Sequence, residues 1–143
     1  MKRFTAIILL LGVVCAFAAC AQEDEPMKIA LSINGSVFIA TLEANDTAEA
    51  FLEMLPQTFE MSELNGNEKY VYLDESLPGT LEQVNSIEAG DLMLYAGDCV
   101  VLFYESFQTT YRYARIGRID DTTGLAEAVG SGAVTVSMVL PEE

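Results

Sequence analysis

The sequence predicts a mainly β domain, a closed or nearly closed mixed barrel of seven or eight strands with two short helices. Three observations carry this reading. Short apolar runs recur from residue 28 to residue 140, separated by Asn34-Gly35, Asn65-Gly66-Asn67 and Gly97-Asp98, which favour tight turns between antiparallel strands. Only two stretches, Asp46–Leu55 and Thr123–Val129, combine helical spacing with start and stop residues. About 120 residues follow the apolar N-terminal segment, enough for one packed core in one domain.

The elements follow in order. Lys28–Ile33 places Ile29, Leu31 and Ile33 on one face, and Ser36–Leu42 returns after Asn34-Gly35 to complete a hairpin. In Asp46–Leu55, residues Ala48, Phe51, Leu52 and Leu55 share a face. Asp46 is the expected cap, Glu49 completes a box-like arrangement, and Pro56 stops the helix. That face is expected to close one end of the barrel. Thr58–Glu63 alternates Phe59 and Met61 with polar residues, and Lys69–Leu73 is a short strand beyond the Asn65-Gly66-Asn67 turn. Leu77-Pro78-Gly79 marks another turn, and Glu82–Ala89 reads as irregular. Leu92–Ala96 and Cys99–Glu105 pair about Gly97-Asp98; the second is apolar on both faces, as in a strand covered on both sides. Ser106–Thr110 is a polar connection and Tyr111–Ile119 a further strand. Thr123–Val129 is capped by Thr123 and ended by Gly130. Ala133–Leu140 closes the domain with Val134, Val136, Met138 and Leu140 inward.

The N-terminus carries an address. Met1–Ala21 begins with Lys2 and Arg3, continues through apolar residues and ends on small ones, the order of a secretory signal. The apolar run is too short for a permanent membrane span. Phe17-Ala18-Ala19-Cys20 resembles a bacterial lipobox, with phenylalanine where an aliphatic residue is usual, and this implies lipidation of Cys20. Cleavage after Ala21 instead would release a soluble secreted or periplasmic protein. Residues 22–27 then form an acidic tether and residues 28–141 the domain. The expectation is an exported, monomeric protein of the cell envelope that meets the membrane only through its lipid. With Cys15 and Cys20 in the leader, Cys99 stands alone, so no intramolecular disulfide forms and the apolar run around it implies an inert thiol.

Composition excludes several chemistries. Asp and Glu number 22 against seven Lys and Arg, a net charge of −15, which repels nucleic-acid phosphates. Histidine and tryptophan are absent, which removes the usual general base near neutral pH and the commonest nitrogen ligand of zinc. No Ser-His-Asp, Cys-His or phosphate-cradling glycine pattern occurs. Asp74-Glu75 and Asp120-Asp121 lack the alternating oxygens of a calcium loop. No catalytic residue, cofactor or metal ligand is therefore assigned.

Several segments taken together resemble the bacterial cyclophilin-like fold proteins: Leu55-Pro56 with Thr58, Leu64–Tyr70, Gly90–Tyr95, Leu102–Tyr104, Ser106-Phe107, Ile116-Gly117 and Gly130–Gly132. The resemblance spans nearly all of Lys28–Leu140 and implies an eight-stranded barrel capped by two helices. True cyclophilins, more distant relatives, isomerise the bond before proline with an arginine, apolar residues, a glutamine, a tryptophan and a histidine. Here the segment that would bring the arginine is replaced by Asn65–Pro78, which has none. The resemblance thus implies the scaffold without the isomerase site, and a fold does not transmit its relatives' activity.

Candidate binding residues are chosen for chemistry. Tyr104, Phe107, Tyr111 and Tyr113 gather aromatic surface suited to sugars, peptides or flat ligands, or else fill the barrel. Arg112 and Arg115, with Arg118, offer guanidinium forks to a carboxylate or phosphate, or pair with the surplus acids. Asn65, Asn67, Glu68 and Tyr70, in the loop that replaces the isomerase segment, border the equivalent groove or simply form a turn. The expected function is a non-catalytic module that binds a small molecule or peptide. The alternatives are a weak prolyl isomerase or other enzyme, and a structural component of an envelope complex.

Overall fold

The computed structural model describes residues 25–142. The expected signal peptide with Cys20, and residues 22–24 of the expected tether, lie outside the described residues. In chain order the elements are β1 (Lys28–Ile33), β2 (Ser36–Leu42), α1 (Asp46–Glu53), β3 (Gln57–Leu64) and β4 (Glu68–Tyr72). There follow β5 (Glu82–Gln83), β6 (Ser86–Ile87), β7 (Asp91–Tyr95), β8 (Cys99–Phe103), β9 (Phe107–Gln108), β10 (Arg112–Ile119), α2 (Leu125–Val129) and β11 (Val134–Val139).

The main sheet runs β2-β1-β11-β3-β4-β8-β7-β10 and closes where β10 pairs with β2, with β5 attached only to the edge of β10. That leaves eight strands in the closed barrel. Every pairing is antiparallel, so the expected mixed character is corrected. Tight turns account for three of these pairings, β1–β2, β3–β4 and β7–β8, because such a turn can join only antiparallel neighbours. Closure runs through Gly117, opposite Leu42, beside a register shift between Arg115 and Gly117. A Cβ on Gly117 would lie 2.5 Å from the Thr41 carbonyl oxygen, so the two strands meet this closely only without a side chain there.

Local chemistry explains most element ends. Asn34 and Gly35 both have positive φ, 47° and 82°, the backbone of a two-residue hairpin turn, and Ile33 pairs with Ser36 across it. Between β7 and β8 the positive φ values fall on Ala96 and Gly97, 53° and 87°, so Gly97-Asp98 is not the turn centre. The connection is the three residues Ala96–Asp98, with Tyr95 opposite Cys99. The cap of α1 is Asn45, whose Oδ1 accepts from the Ala48 N–H at 2.8 Å, in place of the expected Asp46. Asn45 also donates from Nδ2 to the Arg115 carbonyl, which ties the helix start to β10. The helix ends at Glu53, and Met54 and Leu55 tighten into i→i−3 bonds ahead of the cis Leu55–Pro56 peptide.

α2 begins at Leu125, two residues later than expected, behind Gly124 in the left-handed region, with no side-chain cap from Thr123. Instead the Thr123 N–H donates to Asp121 Oδ1, so the polar residues form a turn before the helix. Segments 82–89 and 106–110 are not wholly irregular: β6 and β9 pair with each other and β5 joins β10. Two-residue strands carry too little alternation to be seen in a sequence. Leu140 falls beyond β11 and is exposed, whereas Val134, Val136 and Met138 point inward as expected.

Two apolar clusters result. Ile29, Leu31, Ile33, Met61, Leu92, Leu94, Val100 and Leu102 fill the barrel, with Phe51 of α1 and Leu125 of α2 at its ends. A second cluster lies outside the barrel wall, where Met93, Cys99, Val101, Phe103 and Tyr113 are covered by Val84, Ile87 and Phe107. Strand β8 is therefore buried on both faces, as its composition predicts.

Candidate functional site

Period-two alternation determines what faces outward beside that second cluster. On β4 the inward residue is Lys69, and Glu68, Tyr70 and Tyr72 point to the other face. In the ladder with β8, Glu68 stands opposite Phe103, Tyr70 opposite Val101 and Tyr72 opposite Cys99. Tyr95, at the end of β7, stands opposite Cys99 on the far side. Tyr111 and Tyr113 approach from the start of β10, and Leu64 and Asn65 from the β3–β4 turn.

Together these residues line an open cleft of about 280 Å³. Its walls are the five rings of Tyr70, Tyr72, Tyr95, Tyr111 and Tyr113, its floor Val101 and Cys99, and its ionisable rim residue Glu68. The rings stand at angles to one another: Tyr70–Tyr72 at 5.9 Å and 78°, Tyr95–Tyr111 at 6.0 Å and 65°, Tyr95–Tyr113 at 5.8 Å and 52°. Such a set forms walls of differing orientation and not one flat plate. Tyr113 packs on edge against Phe103, and Phe103 against Phe107, so the cleft is anchored to the outer cluster.

Burial and neighbouring charge explain the electrostatics. Glu68 makes no hydrogen bond or ion pair among the described residues; burial, and then the charge of Glu63, hold its carboxyl above the usual carboxylate range. Burial pushes the Cys99 thiol up to about 11, helped by Asp98 and Glu68, so it is unreactive near neutral pH. Burial, and then Glu68, push Tyr113 up to about 12. The cleft therefore offers five phenol rings, an unreactive thiol and one carboxyl group.

A separate polar cluster lies behind it, on the inner face of the same strands. Lys69 is fully buried and pairs directly across the ladder with Glu63. Its ammonium donates to the Gly130 and Gly132 carbonyls at 2.8 and 2.6 Å and meets Glu63 Oε2 at 2.9 Å, which uses all three donors. The Tyr104 hydroxyl donates to the same Glu63 carboxylate. Burial alone would raise Glu63, but the bonds from Tyr104 and Lys69 hold it below the usual carboxylate range. This cluster joins Leu64–Tyr70, Leu102–Tyr104 and Gly130–Gly132, three segments named separately in the sequence. Its geometry is that of a satisfied structural lock, since no donor remains for a ligand.

The structure thus divides the candidates chosen from sequence. Asn65, Tyr70, Tyr111 and Tyr113 come together in the cleft. Tyr104 belongs to the inner polar cluster, and Phe107 packs behind Phe103. Asn67 lies outside the lining, with its Oδ1 buried and unpaired among the described residues. Arg112 donates to the Leu81 carbonyl, Arg115 pairs with Glu82, and Arg118 pairs at 2.6 Å with the buried Asp91. Glu68, named in the sequence with the Asn65–Tyr70 loop, lies in the lining as well, whereas sequence reasoning did not single out Tyr72 or Tyr95 as binding residues. The available signal was the spacing Glu68-x-Tyr70-x-Tyr72, which puts all three on one face of any strand.

A family model described as the cyclophilin-like family matches residues 31–139. Among solved structures, the chain is similar to a hypothetical protein of Archaeoglobus fulgidus known in solution, with a TM-score of 0.57 and 19% identity over 81% of this chain and 95% of that one. At that identity the likeness concerns the fold. No curated protein matches the chain.

Proposed function

The chain belongs to the cyclophilin-like family, and from that premise we propose that it is a non-catalytic module that binds a small ligand in the tyrosine-lined cleft. One observation carries the reading. Of the seven large apolar side chains exposed among the described residues, Leu64, Tyr72, Tyr95 and Tyr111 line this one cleft. Scattered exposure needs no explanation, whereas exposed aromatic surface concentrated in a concavity fits a binding site. The volume is at the small end for ligand pockets, which favours a small molecule or a single side chain of a peptide.

Isomerisation before proline is disfavoured by the lining. Lowering that barrier calls for a strong donor aimed at the prolyl nitrogen. Among the described residues no arginine or lysine lines the cleft, and the donors there are phenols and the Asn65 amide. The proposal includes the address read from the N-terminus: export, removal of the leader, and anchorage through a lipidated Cys20.

A fragment screen by ligand-observed NMR tests the reading, with Tyr72→Ala and Tyr111→Ala as paired variants. Both rings are more than half exposed, 64% and 62%, so their loss leaves the fold intact. Binders are expected whose affinity drops about thirtyfold in the double variant, at roughly 1 kcal/mol per aromatic contact. A screen without binders, or binders indifferent to both substitutions, would remove the cleft as the site.

A further inference from the structure

We propose that the occupant of this cleft is an organic cation, an alkylammonium group enclosed by the tyrosine rings and neutralised by Glu68. The inference rests on the cleft being a ligand site and names the chemistry of that ligand. Four observations point to it.

The first is the lining itself. Five phenol rings at mutual angles of 52° to 78° surround one concavity, and an aromatic face attracts a cation through its quadrupole. Sugars and planar neutral ligands would use such rings too, so aromatic content alone does not decide the charge. The second observation decides it: the one carboxyl group in the lining, Glu68, has no hydrogen-bond or ion-pair partner for its side chain among the described residues. Leaving a half-buried carboxylate uncompensated is costly, and a bound cation would supply the missing partner.

The third observation is that the described residues hold no cation in reserve for Glu68. All five Lys and Arg of the described residues are engaged elsewhere. Lys28 pairs with Asp120, Lys69 with Glu63, Arg115 with Glu82 and Arg118 with Asp91, while Arg112 donates to the Leu81 carbonyl. The fourth is the field of the whole molecule. A net charge of −15 draws cations towards the surface and repels anions from it. An anionic ligand would meet both the local carboxylate and that field.

The decisive experiment compares isosteres on the purified full chain by calorimetry or NMR titration. Choline stands for a free organic cation, N-acetyl-lysine methylamide for a peptide side chain, and 3,3-dimethyl-1-butanol is the neutral isostere of choline. At least one of the two cations is expected to bind about tenfold more tightly than the neutral alcohol, with dissociation constants in the millimolar range or below. The tighter of the two identifies the source as free ammonium or lysine side chain. Glu68→Gln keeps the shape of the rim and is expected to erase that tenfold preference while the neutral alcohol binds as before.

Neutral alcohol binding as tight as choline and the lysine amide would overturn the cationic assignment yet keep the cleft as a ligand site. Cations that bind with the same preference in Glu68→Gln would overturn it as well. If no cation binds while other fragments do, the charge assignment alone is lost. If nothing binds at all, the ligand site itself is lost.

Discussion

Glu68 shows how one residue ties stability to function. Its neighbours across the packed elements are Glu63 on β3, Cys99 on β8 and Tyr113 on β10, none of them cationic, and Lys69 beside it points to the opposite face. Burial and Glu63 raise its proton affinity in the folded state. The sign of the linkage follows. Where the folded chain binds the proton more tightly than the unfolded chain, stability falls as pH rises from the ordinary glutamate value through the raised one. Above that window the destabilisation is fully present. Glu68→Gln is therefore expected to melt at a higher temperature than the parent near pH 7 and to differ little near pH 4. A melting difference that is the same at both pH values would refute this account. The group that costs stability in the free protein is the one proposed to face a ligand, a trade common at binding sites. Glu68 was legible in the sequence as part of a loop bordering the groove, but its missing counter-charge was not, because nothing local shows that a carboxylate lacks one.

At the scale of elements, the closure of the barrel depends on β10. Its bulge at Arg115–Gly117 lets it pair with β7 along one edge and with β2 along the other. Gly117 is where the two strands come closest, and a methyl group there would press on the Thr41 carbonyl at 2.5 Å and on Leu42 at 3.1 Å. Gly117→Ala is expected to destabilise the domain by roughly 1–3 kcal/mol, the range for overpacking a tight site. Gly132→Ala, where a Cβ meets nothing within 4 Å, is the control and should stay within about 0.5 kcal/mol. Urea midpoints of the two variants check both figures, and a control as damaged as Gly117→Ala would remove the closure argument. The same bulge explains why the three arginines of β10 could not be placed from alternation. Strict period two predicts Arg112 and Arg118 on one face with Arg115 opposite, but the inserted residue changes the phase between Arg115 and Gly117.

For the whole molecule, the net charge of −15 and the leader proposed for the N-terminus bear on location and partners more than on fold. If the chain is processed as a lipoprotein, mass spectrometry of the mature protein from membranes will find an N-terminal, diacylated Cys20, and Cys20→Ser will shift the protein out of the membrane fraction. A mature form beginning at Gln22 would exclude the anchor and leave export standing. Legibility differed by scale within the domain. Ile29, Leu31 and Ile33, the Asn34-Gly35 turn and the double-sided apolar run of β8 could be read directly, because alternation and turn preference act over a few residues. The cap of α1 missed by one residue, since Asn45 and Asp46 are both good caps and only the path of the chain chooses between them. The sequence by itself therefore determined the barrel, its hairpins and its family. Tertiary structure alone decided that Tyr104 turns inward to Glu63 and that the arginines are consumed by backbone and acids. It also decided that Tyr70, Tyr72, Tyr95, Tyr111 and Tyr113 meet around Glu68. The reason is register: residues up to 45 positions apart, Glu68 and Tyr113, become neighbours only when β4, β8, β7 and β10 are aligned side by side, and that alignment is a property of the closed sheet.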